Sequence, residues 1–129
     1  MSSTSDKAEG DDYITSRVMG RMKVGKEKYG HGLVTAMNTT QWGTKIDSWL
    51  EMAEEEYMDA LVYVLADYIR EENIFTRETE DDNELIVELL KTPEKIKSDF
   101  HRSSVNNLQS LIHQNLAKYR PHRSHPLKS

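Results

Sequence analysis

The chain has 129 residues, of which 30% are charged and 36% hydrophobic, and its formal net charge is −5. This size predicts one domain, and no apolar run reaches the roughly 18 residues of a membrane-spanning helix. The chain contains no cysteine, which excludes disulfides and thiolate metal sites. Its polar start, MSSTSDKAEGDD, lacks the apolar core of a signal peptide, so a cytoplasmic protein is expected.

The charge is unevenly distributed along the chain. Residues 51–84 are strongly acidic, whereas residues 120–129 form a basic tail. Overall acidity argues against a nucleic-acid-binding domain. A basic end of this kind is typically a solvated terminus, although it can also contact a phosphate or an acidic neighbour. We therefore expect no stable binding to nucleic acid and no membrane association.

The first part of the chain predicts one helix between irregular segments. Residues 1–11 are expected to be disordered, and apolar side chains at helical spacing predict a helix from about Asp12 to Lys28. The glycines of Tyr29–Gly32 end this helix. Residues 33–46 contain Thr, Asn and Gly and predict a loop, and a loop of this length is typically a lid or binding loop.

Capping residues mark the remaining helices. Ser48 and Glu51 fit a capping box at the start of a long helix that ends near Asn73. An acidic linker follows at residues 76–83. Three further helices are expected, over residues 84–91, from Thr92-Pro93 to about Phe100, and from Ser103 or Ser104 to about Tyr119. No strand pattern competes, so we expect an all-α fold with a single domain over residues 12–119.

The long helix joins a block of acids to an apolar second half. One apolar face contains Leu50, Ala53, Tyr57, Ala60, Leu61, Val64 and Tyr68, and a second contains Met52, Val62, Tyr63 and Ala66. A helix that is hydrophobic nearly all round is typically buried on more than one side. In a chain of this size, the second side is expected to meet another subunit.

Five carboxylates stand within nine residues of this helix, at Glu51, Glu54, Glu55, Glu56 and Asp59. Spacings of three and four residues let them converge near one turn. Asp59 lies about three turns into the helix, beyond the stabilising effect of the helix dipole. The residues alone leave two interpretations open. One is a solvated acidic face, and the other is a set of ligands for Mg²⁺ or Mn²⁺ shared with substrate phosphates.

The segment Glu55–Tyr68, EEYMDALVYVLADY, resembles the second metal-binding helix of the MazG-like all-α nucleoside triphosphate pyrophosphohydrolases. Glu56-x-x-Asp59 matches the motif positions and Tyr63 the aromatic position. Arg21–Leu33, RMKVGKEKYGHGL, before a loop with tryptophan, resembles a phage-type branch of small members. The resemblance spans about residues 13–72 and implies a helical bundle completed by oligomerisation, as a dimer or tetramer.

The resemblance implies hydrolysis of a (deoxy)nucleoside triphosphate to the monophosphate and pyrophosphate. Carboxylates would hold Mg²⁺ or Mn²⁺ against the triphosphate while water attacks phosphorus in line. The purine link of the phage-type branch favours dGTP or dATP and a place in nucleotide-pool control or phage DNA precursor metabolism, within the host cytoplasm if the protein is phage-encoded. A non-catalytic helical oligomer or adaptor, and a nucleotide sensor without turnover, are the alternatives.

Glu55, Glu56 and Asp59 are the expected catalytic residues, and the same three with Glu51 are the expected metal ligands. Glu56 and Asp59 follow from the motif, whereas Glu51 and Glu55 follow from helical geometry. The family usually carries a first Glu-x-x-Glu on a separate preceding helix, but Glu27 is the only glutamate of the first predicted helix. Either Glu51, Glu54 and Glu55 take over this role, or Glu27 or a neighbouring subunit contributes.

Four residues are expected to contact substrate. Lys28 and His31 are candidates for phosphate contacts, with an ordinary basic helix end as the alternative. Tyr63 could stack on a base or ribose, with plain core packing as the alternative. Trp42 could cover a base or act as a local hydrophobic anchor. His101 stands at no ligand spacing and is expected to be structural or exposed.

Overall fold

The computed structural model describes residues 3–74 and 80–119, and within these ranges it is built of helices, turns and loops without a strand. The helices are α1 (Ser3–Tyr29), α2 (Trp49–Glu72), α3 (Asn83–Lys91) and α4 (Asp99–Tyr119). The all-α prediction is therefore confirmed. None of these helices is long and apolar enough to cross a membrane. The basic tail at 120–129 and residues 76–79 of the acidic linker lie outside the described residues.

The chain divides into two compact units, residues 1–37 and residues 38–129. The first unit contains α1, which begins at Ser3 instead of Asp12, so residues 3–11 are helical rather than disordered. This extension contains no proline, although only Lys7, Ala8 and Glu9 among its nine residues favour helix strongly. The helix ends as predicted, because Gly30 adopts a φ of 82° and its N–H donates to the Lys26 carbonyl over 2.8 Å.

In the second unit, α2 begins and ends where the sequence predicts, but the capping box is not formed, because Glu51 accepts from the Ile46 N–H and the Ser48 N–H donates to the Ile46 carbonyl. The Ser48 side chain accepts a hydrogen bond from the Leu50 N–H over 3.1 Å. At the other end, Asn73 adopts the left-handed conformation with φ 58°, and its N–H donates to carbonyls of the last turn. The predicted extent of α2, from Ser48 to Asn73, is therefore confirmed.

The core of the second unit lies mainly between α2 and α4. Leu65, Ile96 and Val105 have no exposed surface. Five further buried residues complete this core: Leu61, Tyr68, Ile69, Leu89 and Ile112. Burying one such aliphatic side chain fully contributes about 1.5–3 kcal/mol, so this contact dominates the stability of the unit. The second apolar surface of α2 is not part of this core, because Val62 is 42% and Tyr63 70% exposed.

The segment between α3 and α4 differs from the predicted helix over Thr92–Phe100. Pro93–Lys95 forms only a short 3-10 turn, after which Ile96 is extended and buried. The Tyr68 hydroxyl accepts a hydrogen bond from the Lys97 N–H over 3.0 Å and fixes this segment against α2. Because Ile96 enters the core, the backbone leaves the helical path and α4 starts anew at Asp99. The predicted start at Ser103 or Ser104 is therefore wrong.

Candidate functional site

The acids nearest the middle of α2 are open to solvent. Glu55, Glu56 and Asp59 are all exposed. None of them makes a hydrogen bond or an ion pair with residues 38–74 and 80–119, the described part of the second unit. Glu55 and Asp59 are four residues apart and Glu56 and Asp59 three apart, so the three carboxylates repel one another along adjacent turns. These side chains are available to an external cation.

Glu51 has a different environment from these three acids. It is only 7% exposed, and its Oε1 atom accepts a hydrogen bond from the Ile46 N–H over 2.7 Å. The carboxylate also lies in the first turn of α2, where the helix dipole favours negative charge. One oxygen of Glu51 therefore holds the preceding loop against α2. Its expected role as a metal ligand remains a prediction. Of the two carboxylate oxygens of Glu51, only the second has no assigned hydrogen bond within the described residues.

The loop before α2 is closely hydrogen-bonded. Thr39 is fully buried, and its N–H donates to the Asp47 carboxylate over 2.8 Å. Thr44 is buried as well, and its hydroxyl contacts the carbonyls of Thr39 and Ile46 at 2.9 and 2.8 Å. Bonds at both ends of residues 38–48 thus close this part of the loop on itself. The arrangement provides a fixed support at the start of α2.

Trp42 and Tyr63 differ in their environments. Trp42 is half-buried and meets Trp49 edge to face, with ring centroids 6.1 Å apart. This contact fits the hydrophobic-anchor alternative. Tyr63 is 70% exposed and stands one turn beyond Asp59 on α2. Tyr63 therefore does not pack into the core of the described residues, and its expected contact with a base or ribose remains a prediction.

Lys28 and His31 belong to the first unit, at the end of α1. The Lys28 ammonium lies 5.4 Å from the centre of the Tyr29 ring. The His31 Nδ1 atom donates to the Gly32 carbonyl over 2.7 Å. Both side chains are exposed, and both lie where a basic group is favoured by the C-terminal end of a helix. Their expected contacts with phosphate remain predictions.

A second polar cluster, which the sequence did not reveal, joins α2 to the start of α4. His101 is 3% exposed, and its Nε2 atom lies 2.8 Å from the Asp67 carboxylate. Its Nδ1 atom lies 2.6 Å from the Ser98 hydroxyl. The expectation that His101 is structural is met by this pairing. One signal was present in the sequence, since Asp67 interrupts the apolar second half of α2.

The carboxylates of α2 suit magnesium or manganese by their chemistry. Within residues 3–74 and 80–119, no three His, Asp or Glu side chains form a ready-made group that could hold a metal ion. Mg²⁺ is commonly held by one or two carboxylates, with substrate phosphates and waters as the other ligands. Exposed, unpaired oxygens at Glu55, Glu56 and Asp59 fit that mode of binding. They do not form a dedicated protein cage.

No protein-family model matches the chain, and comparisons with curated proteins and with solved structures likewise gave no match.

Proposed function

We propose that this protein is a metal-dependent nucleoside triphosphate pyrophosphohydrolase, with a purine substrate such as dGTP or dATP. One observation carries the proposal: Glu55, Glu56 and Asp59 are exposed on adjacent turns of α2 and have no protein counter-charge in the described part of their unit. Such a row of like charges destabilises a helix by a few tenths of a kcal/mol per pair, on the order of 0.2–0.5. A ligand that binds these carboxylates would explain why the helix carries a destabilising row of like charges.

Glu55, Glu56 and Asp59 would hold Mg²⁺ or Mn²⁺ through carboxylate oxygens. When bound, the cation offsets the negative charge of the triphosphate. With three acids on adjacent turns, a carboxylate that is not engaged by the cation can orient a water for in-line attack on phosphorus. Tyr63, one turn further along α2, can stack on the base or ribose because most of its ring is exposed.

The test is an incubation of the purified full-length chain with each deoxynucleoside triphosphate and Mg²⁺ or Mn²⁺, followed by separation of the products. We expect pyrophosphate and the matching monophosphate. Asp59→Asn and Glu56→Gln should each lower kcat/KM by about 100-fold or more, because each removes a charge from the reacting site. Glu72→Gln is the matched control, since Glu72 is an exposed acid at the far end of the same helix. Release of single phosphate, or an equal loss in the control, would contradict the proposal.

A non-catalytic adaptor is the second candidate. It is favoured by the exposure of Val62 and Tyr63, which offer an apolar surface to a partner, and by the lack of a preformed three-residue metal group in the described residues. If the protein is an adaptor, Asp59→Asn leaves Mn²⁺ binding unchanged and no nucleotide is hydrolysed. A sensor differs from both, because it would bind the nucleotide in an Asp59-dependent way without turnover.

A further inference from the structure

An open-sided cavity lies between the second half of α2 and the start of α3. Its volume is about 370 Å³, and it is lined by Ala66, Ile69, Arg70, Asp82 and Ile86. This volume falls within the range of about 300–1,000 Å³ typical of small-ligand pockets. Three of the lining residues are apolar and the other two carry opposite charges. The cavity therefore combines apolar lining residues with one donor group and one acceptor group.

The two charged residues of this cavity are not paired with each other. Asp82 has a buried Oδ1 atom without a hydrogen-bond partner. It precedes α3, but its side chain makes no capping hydrogen bond there. Arg70 is exposed and forms no ion pair with the described residues. A buried oxygen without a donor is costly, and native proteins rarely leave one without a reason. The torsion that orients a carboxylate is soft, so either oxygen can turn toward a ligand in the cavity.

The cavity also lies on the same side of α2 as the proposed phosphate site. At about 100° per residue, Asp59, Tyr63, Ala66 and Arg70 fall within about 60° of one another around the helix. At about 1.5 Å per residue, Ala66 lies about 10 Å from Asp59 along the axis, with Tyr63 between them. A nucleotide whose phosphates lie at Asp59 would therefore extend over Tyr63 toward the cavity.

We propose that this cavity binds the base of the nucleotide and that the base is guanine. The inference rests on the proposed function for the position of the phosphates. A carboxylate only accepts hydrogen bonds, and guanine presents two adjacent donors, its N1–H and its 2-amino group. The Arg70 guanidinium only donates, and guanine O6 and N7 are the pair of acceptors that arginine contacts most often. Ile69, Ile86 and Ala66 supply apolar contact for the base.

Adenine fits the same two residues less well. Adenine offers the carboxylate only its 6-amino group, and its neighbouring N1 atom is an acceptor that a carboxylate repels. Adenine also lacks the O6 atom, so Arg70 would keep a single acceptor, N7. Asp82 has a buried oxygen, and a site that buries a hydrogen-bonding group discriminates strongly against a ligand that leaves it unpaired. The cavity therefore selects guanine within the purines that the proposed function leaves open.

The experiment measures equilibrium binding of dGMP, dIMP and dAMP to the full-length chain by dialysis, with hydrolysis of dGTP and dATP assayed in parallel. We expect dGMP to bind about tenfold or more tightly than dAMP, with dIMP between them because it lacks the 2-amino group. Asp82→Asn should remove the difference between dGMP and dIMP and weaken dGMP binding by about tenfold or more. An asparagine can pair with adenine, so dAMP binding should not fall.

Glu84→Gln is the matched control, because it removes the same charge from an exposed residue of the first turn of α3 that does not line the cavity. Equal binding of dGMP and dAMP, or equal effects of the two substitutions, overturns the base site even if dGTP is hydrolysed. Guanine-selective, Asp82-dependent binding without hydrolysis overturns the proposed function and retains the base site. No binding of dGMP overturns the base site and, if hydrolysis is also absent, the proposed function with it.

Discussion

The polar contact between α2 and α4 provides a direct test of the fold. A carboxylate only accepts, so the Nε2 atom of His101 carries the proton that lies between it and Asp67. For a neutral ring, the Nδ1 atom then needs a donor, which is the Ser98 hydroxyl at 2.6 Å. The same hydroxyl oxygen accepts the His101 backbone N–H over 3.2 Å and so caps α4.

The substitution Ser98→Ala removes both of these interactions. Loss of a serine N-cap costs about 1 kcal/mol. His101 is 3% exposed, so its Nδ1 atom would stay buried without a donor, at a cost of about 1–3 kcal/mol. The nearest carboxylate, Glu71, lies 4.0 Å from this atom and has no proton to donate. We therefore expect the free energy of unfolding to fall by about 2–4 kcal/mol, a large part of a typical domain's total of about 5–15 kcal/mol.

Urea denaturation followed by tryptophan fluorescence measures this loss in the second unit, because both tryptophans, Trp42 and Trp49, belong to it. The control is Ser103→Ala, at an exposed position inside α4 that the sequence predicts as a cap. Since alanine favours helix more than serine, this variant should be unchanged or slightly more stable. Ser98→Thr keeps the hydroxyl and should recover most of the stability. Equal losses in Ser98→Ala and Ser103→Ala would refute the assigned start of α4.

Two further predictions concern α2. Leu65→Ala should cost about 2–5 kcal/mol because Leu65 has no exposed surface, whereas Val62→Ala, at a position 42% exposed, should stay within about 0.5 kcal/mol in the same urea titration. Similar losses of stability in both variants would show that the wrong face of α2 has been assigned to the core. Glu51→Ala should cost about 1–3 kcal/mol by leaving the Ile46 N–H unpaired, whereas Glu51→Gln keeps an accepting oxygen and should be near neutral. A Glu51→Gln variant with lowered Mn²⁺ affinity would instead support the metal-ligand prediction.

Helix boundaries could be predicted where the signal lies within a few residues. Ser48 before α2 and Asn73 after it are of this kind, because each satisfies backbone groups of its own helix. The start of α4 is different. Several serines stand within a few residues of each other, and each could cap a helix. Ser98 is selected because His101, which it bonds, also pairs with Asp67. These two residues are 34 positions apart, so no local pattern contains their contact.

The sequence pattern also could not predict the environment of each individual acid. Helical spacing correctly groups Glu55, Glu56 and Asp59 on adjacent turns, because that grouping depends on the period of the helix alone. It also groups Glu51 with them, yet Glu51 is buried against the loop. The fold of residues 38–48 decides this, through hydrogen bonds that close the loop over the first turn of α2. Asp82 was not predicted because its buried oxygen depends on how α2 and α3 pack.

The acids of α2 lie on one helix and each carries the same charge, but they differ in the hydrogen-bond donors that surround them. Glu51 already accepts from a backbone N–H, and Asp67 already pairs with His101. Binding a cation through either would compete with an existing hydrogen bond of the fold. Asp59 has no such bond in the described part of its unit, so a cation bound there gains its full interaction with the carboxylate. If α2 binds a divalent cation, Asp59→Asn must therefore weaken Mn²⁺ binding more than Glu51→Gln does, and the opposite order would place the cation at the loop.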